Sequence, residues 1–74
     1  MLYTERFDND LSNYRKKTLE VLHAGGDIQD LTKITDMGMN LRIEAIKESV
    51  ADILSKEIPS EEKAQLIAEK LVEV

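Results

Sequence analysis

The chain contains no cysteine and a single histidine, His23. Disulfide stapling, a thiolate zinc site and thiolate catalysis are thereby excluded, and no second imidazole exists to share a metal or complete a catalytic triad. Long apolar runs are missing too. The N-terminus has no signal-peptide pattern, and no window approaches the roughly 20 apolar residues of a membrane-spanning helix, so a cytoplasmic protein is expected. Phosphate and calcium loops are also lacking. The pair Gly25-Gly26 precedes Asp27 without the later glycine or the Lys-Ser/Thr of a P-loop, and the nearby aspartates do not keep the register of a calcium-binding loop.

With 74 residues there is room for one domain over 1–74 and for no second core, and a domain this small keeps a large share of its surface in water. Its stability must come from well-packed helices or from a second subunit. Ten Lys and Arg stand against fifteen Asp and Glu, a formal net charge of −5. That balance favours solubility and opposes non-specific attraction to nucleic acid or to an anionic membrane.

What is present is helical periodicity. Met37 to Ile58 carries the clearest pattern, with Ile43, Ile46, Val50, Ile53, Leu54 and Ile58 within roughly 140° of arc and Glu48, Asp52, Ser55 and Lys56 opposite. The spacing predicts one long amphipathic helix. Before it, Thr4 is placed to cap a first helix with Glu5 and Asp8 in its opening turn. Phe7, Leu11, Tyr14, Thr18 and Val21 then form an apolar seam with Leu22 beside them and Leu19 pointing away. His23 and the glycine pair end that helix, because glycine reaches the left-handed conformation without a Cβ penalty. Asp27 caps a helix of about two turns that carries Ile28, Leu31 and Ile34. Met37 and Met39 suit an irregular gap in a core.

Pro59 stops the central helix near Glu57. Ser60 is expected to cap the last helix, with Lys63 standing where a capping box would have Glu or Gln. Ala64, Ile67, Ala68, Leu71 and Val74 form its inward face, and Leu66 projects to the other side. The expected fold is all-α: a small bundle of three main helices plus one short helix, with no linker or internal repeat.

Catalysis is not expected. Four thin helices hardly enclose a concave site, and of the carboxylate pairs only Glu44 and Glu48 share a helical face at metal-site spacing, without the further ligands a di-metal centre needs. No metal, cofactor or small-molecule substrate is therefore assigned. Residues 27–50 have the outline of a helix-turn-helix, a short helix, a turn at Gly38 and a longer helix. That longer helix offers Glu44, Glu48 and Asp52 with only Arg42 and Lys47, a poor match to a phosphate-lined groove, and the one basic cluster, Arg15-Lys16-Lys17, lies in the first helix.

A protein-protein interaction module fits better: an adaptor, assembly factor or inhibitor that packs as a homodimer or against a partner. Phe7, Tyr14 and Leu66 are the candidate contact residues, since aromatic rings give large contact area at low entropic cost and Leu66 lacks an obvious partner within the chain. A two-fold contact would set Arg15-Lys16-Lys17 against acids of a second subunit. An exposed apolar patch in the folded chain favours this reading, and convergence of the first-helix cations with Lys33 and Arg42 favours DNA.

Overall fold

The computed structural model describes the backbone of residues 3–74 and side-chain surroundings over 9–74. The capping role of the Thr4 side chain and the contact role of Phe7 lie outside the described residues. Five α-helices follow one another: α1 Tyr3–His23, α2 Ile28–Leu31, α3 Met39–Ala45, α4 Lys47–Ser55 and α5 Ser60–Glu73, with a 3-10 turn at Asp36–Gly38. No strand occurs among the described residues.

At about 1.5 Å per residue, α1 accounts for most of the 36 Å long axis of the molecule. Its principal partner is α5. The two run antiparallel: the Arg15 guanidinium donates to Gln65 Oε1 at 3.1 Å, and His23 Nε2 lies 3.6 Å from Glu61 Oε1. The segment after α1 returns along the bundle through α2, and α3 and α4 then run antiparallel to α5. Every helix after the first brings apolar side chains to one core, made of Tyr14 and Thr18 from α1, Leu31 from α2, Met39 and Ile43 from α3, Val50 and Ile53 from α4, and Ala64, Ile67, Ala68 and Leu71 from α5. Each large aliphatic side chain removed from water there contributes about 1.5 to 3 kcal/mol.

The turn out of α1 shows why two glycines stand together. Gly25 takes φ +79°, and the amides of Gly25 and Gly26 bond the carbonyls of Leu22 at 3.1 Å and Val21 at 2.9 Å. That is the Schellman arrangement. Gly26 serves proximity instead: a Cβ there would sit 2.6 Å from Val21 Cγ1 and 2.8 Å from Asp30 Oδ2. That carboxylate is engaged, because the Asp27 amide donates to Asp30 Oδ2 at 2.9 Å while Asp27 Oδ1 accepts from Gln29 N and Asp30 N. Asp27 caps the helix as its position implies, and Asp30 closes the box. The helix so capped is one turn long rather than two, four residues ending at Leu31.

The central helix departs from expectation. It begins at Met39, ends at Ser55, and is broken at Ile46, where φ −121° and ψ 29° separate α3 from α4. Neither proline nor glycine lies between these ends. α3 packs against α2, the 3-10 turn and α5, whereas α4 packs against α2 and α5. Ile43 and Val50, seven residues apart and so on one face, are fully buried, while Ile46, Leu54 and Ile58 are half-buried.

The entry to α5 is also different. Pro59 is the N-cap, its carbonyl accepts the Glu62 and Lys63 amides at 3.0 Å each, and no side chain caps the helix. Ser60 is the first helical residue. Lys63 instead donates from Nζ to the Leu54 carbonyl at 3.0 Å, satisfying an acceptor at the end of α4 that lacks an intrahelical partner.

Candidate interaction surface

Arg42 organises one end of the bundle. It lies in the last turn of α3, and its Nη1 donates to the carbonyls of Leu71 at 3.2 Å and Val74 at 2.8 Å. A cation placed on the terminal carbonyls of a helix also meets the negative end of its dipole. The guanidinium stands 5.9 Å from the centroid of the Tyr14 ring. Tyr14 in turn donates its hydroxyl to the Met37 carbonyl at 3.2 Å, so α1, the turn before α3 and the end of α5 are tied together through two side chains.

The Met37 carbonyl is held on unusual backbone. Met37 has φ 56° and ψ 23°, and Gly38 follows at φ 67°. The left-handed region is natural for glycine and costs an unbranched L-residue about 1 to 2 kcal/mol. The conformation carries the Met37 side chain to the surface, 41% exposed. With Leu41, 71% exposed, and Val74, 50% exposed, it makes up the large apolar side chains left in water among the described residues. Together with Gly38 and Arg42 these three line one recess of about 340 Å³, so the exposed apolar residues gather in one place.

Of the residues expected to form a contact surface, the two that are described, Tyr14 and Leu66, lie away from this recess. Tyr14 is 3% exposed; its ring belongs to the chain's own core. Leu66 is half-buried and packs against that core, so it has the intrachain partner it was expected to lack, and it lines a shallow groove of about 380 Å³ between α4 and α5 with Ile53. Of the two methionines read as core fillers, Met39 is fully buried and Met37 is not; Val74, read as inward-facing, is half exposed. Leu41 was visible in the sequence as a large apolar residue off the stripe that contains Ile43. Two positions on, 200° round the wheel, it had to face away from whatever Ile43 faces.

Several of the described cations are engaged within the chain. Arg15 is bonded to Gln65 and Arg42 to the end of α5. Lys17 Nζ is 2.7 Å from Asp36 Oδ2, and the hydrogen bond to that carboxylate, reinforced by its charge, raises the Lys17 pKa above its ordinary value near 10.5. Lys17 and Lys33 do line one recess, yet Glu20 and Asp36 line it with them. The expected recognition helix is seven residues long before the bend at Ile46, with Glu44 exposed on it. Glu44 and Glu48 stand on opposite sides of that bend, and among the described residues no group of three or more His, Cys, Asp or Glu is placed to hold a metal. No described helix is long and apolar enough to cross a membrane.

Comparisons with family models, with curated proteins and with solved structures give no match for this chain.

Proposed function

We propose that the chain is a small acidic protein-protein interaction module, an adaptor, assembly factor or inhibitor that acts by packing an apolar surface against a partner. The observation that carries the reading is the gathering of Met37, Leu41 and Val74 around one recess. Singly exposed apolar residues are ordinary on any protein; a shared recess is the pattern of a contact site. Arg42 and Tyr14 tie together the segments that supply these side chains, and a preformed frame lowers the ordering cost of binding.

The alternative, a helix-turn-helix regulator using residues 27–50, is supported by element order alone. Arg42, the cation best placed on α3, is engaged within the chain, and Lys17 is neutralised by Asp36.

The test is affinity capture from the native cell with nucleic acid digested beforehand, using the wild-type chain and Leu41→Lys. Leu41 is mostly solvated, so the substitution is expected to leave the unfolding free energy within about 0.5 kcal/mol of wild type. A protein partner retained by the wild type and lost by Leu41→Lys is expected. Retention that depends on intact nucleic acid, or that ignores the substitution, overturns the reading.

A further inference from the structure

The chain has neither cysteine nor tryptophan, and it has three methionines. With no thiol to compete, a mild two-electron oxidant has the thioether as its preferred side-chain target. The Met1 side chain lies outside the described residues. The other two methionines stand two positions apart in opposite surroundings: Met39 is fully buried in the core, whereas Met37 is 41% exposed.

Two left-handed residues, Met37 at φ 56° and Gly38 at φ 67°, stand before the side chain that opens α3 inside the core. The space about Met37 is open. A Cβ built on Gly38 would meet no atom within 4 Å. The recess of about 340 Å³ that Met37 lines is several times the roughly 30 Å³ share of a water molecule, so a molecule of peroxide size reaches it freely. The residues lining it are Met37, Gly38, Leu41, Arg42 and Val74, with no acid among them. A sulfoxide oxygen carries partial negative charge and accepts hydrogen bonds; here it would form beside water and a guanidinium. At Met39 the same oxygen would be placed in the apolar core, where an unpaired polar atom is destabilising. The tie to α1 does not depend on the sulfur either, because Tyr14 donates to the Met37 backbone carbonyl.

We propose that Met37 is an oxidation site: hydrogen peroxide converts its thioether to the sulfoxide on the folded chain, spares Met39, and so releases a partner held at the recess. A sulfur lone pair attacks one peroxide oxygen, and the S–O bond forms as the O–O bond breaks. The proton on the transferred oxygen passes to the departing hydroxide, which leaves as water. Sulfur is oxidised by two electrons and the peroxide is reduced by two. The product is polar where the thioether was apolar, a change that disrupts contacts made through methionine. Release of the partner rests on the interaction-module reading; the oxidation site does not.

The experiment treats the full folded chain with hydrogen peroxide, removes the oxidant, and maps the tryptic peptides by tandem mass spectrometry. Met37 and Met39 leave in one peptide, 34–42, and Met1 in another; fragment ions separate the two in the shared peptide. Met37 is expected to react at least about tenfold faster than Met39, because a buried thioether reacts only when the core opens. In urea the two rates converge. The circular dichroism of the chain oxidised at Met37 stays that of the untreated chain. Equal rates in the folded chain, or loss of helix once Met37 is oxidised, overturn the proposal. Affinity capture reads the second half. A partner held by the untreated chain, lost after peroxide and kept by peroxide-treated Met37→Leu is expected. A partner kept by the chain oxidised at Met37 overturns the release, and one lost equally from treated Met37→Leu overturns its assignment to this sulfur. If the untreated chain holds no partner, the interaction reading fails while the peptide map still decides the oxidation site.

Discussion

The Lys63 ammonium donates to the Leu54 carbonyl at 3.0 Å, so a residue in the first turn of α5 closes the last turn of α4. The sequence, taken with Ser60 as cap, asks for glutamate at this position; with Pro59 as the N-cap that demand falls away and the Leu54 contact is the role left to Lys63. Lys63→Met is expected to destabilise the fold by about 1 kcal/mol and Lys63→Glu by more, since a carboxylate cannot donate and would face the negative end of α4. Urea denaturation of both variants checks this, and a Lys63→Glu variant as stable as wild type would show that the Leu54 contact contributes nothing to stability.

Thr18 is fully buried in the α1 seam, and among the described residues its hydroxyl has no hydrogen-bond partner. A buried unpaired hydroxyl costs about 1 to 3 kcal/mol, and valine offers nearly the same shape without it. Thr18→Val is therefore expected to raise the unfolding free energy by about 1 kcal/mol, and Thr18→Ala to lower it by leaving a void. Equal destabilisation by the two would mean that the hydroxyl is satisfied in solution.

Met37 separates backbone strain from side-chain burial. Asparagine tolerates the left-handed region and β-branched residues do not, so Met37→Asn is expected to stabilise by about 0.5 kcal/mol and Met37→Val to destabilise by about 1 kcal/mol. Both remove the thioether from the recess, so both are expected to weaken capture of the partner proposed above. Thermal unfolding and affinity capture on the same pair then report strain and function separately.

The two glycines after α1 fail for different reasons. Gly25→Ala meets no atom but must keep φ +79°, a cost of about 1 kcal/mol. Gly26→Ala meets Val21 and Asp30, including the Val21 carbonyl oxygen at 3.0 Å, and is expected to cost about 2 kcal/mol or more because the backbone has to move. Asp30→Ala in the Gly26→Ala background removes one of the clashing atoms along with half of the capping box, so the double variant is expected to be less destabilised than the sum of the singles.

Lys17 gives the alkaline limb of stability a definite sign. Its pKa is raised in the folded chain by the hydrogen bond and charge of Asp36, so folding favours the protonated form. The contribution is fully present below the ordinary value near 10.5 and disappears as pH rises through the folded value. The stability difference between wild type and Asp36→Asn is expected to be steady near neutrality and to close in strong base. A side-chain NMR titration in which Asp36→Asn leaves Lys17 unmoved would remove the assignment.

Much of this arrangement can be read from residues that act locally. Gly25 and Gly26 announce the end of α1, Asp27 the start of α2, and the 3.6-residue period selects Ala64, Ile67, Ala68 and Leu71, all fully buried in α5. The bend at Ile46 carries no such mark, since no proline or glycine lies near it to break the helix. Lys63 misleads because its acceptor lies in another helix. Tyr14 stood out by its aromatic ring and Leu66 by its place off the inward stripe of α5, yet the ring is buried in the core and Leu66 packs partly against it. The recess unites Met37, Leu41 and Val74 only once α5 has come back to α3.

The pairing of α1 with α5 also sets the order of events during synthesis. Arg15 and Gln65 are 50 residues apart, and at about 5 to 20 residues per second a ribosome needs on the order of a few seconds to supply α5 after completing α1. A lone helix is marginal in water, and for that interval the face of α1 that packs on α5 has no counterpart to close upon. Closure of the bundle is therefore expected to wait for α5, and a chain held before that point is expected to be open to proteases and chaperones along this face of α1.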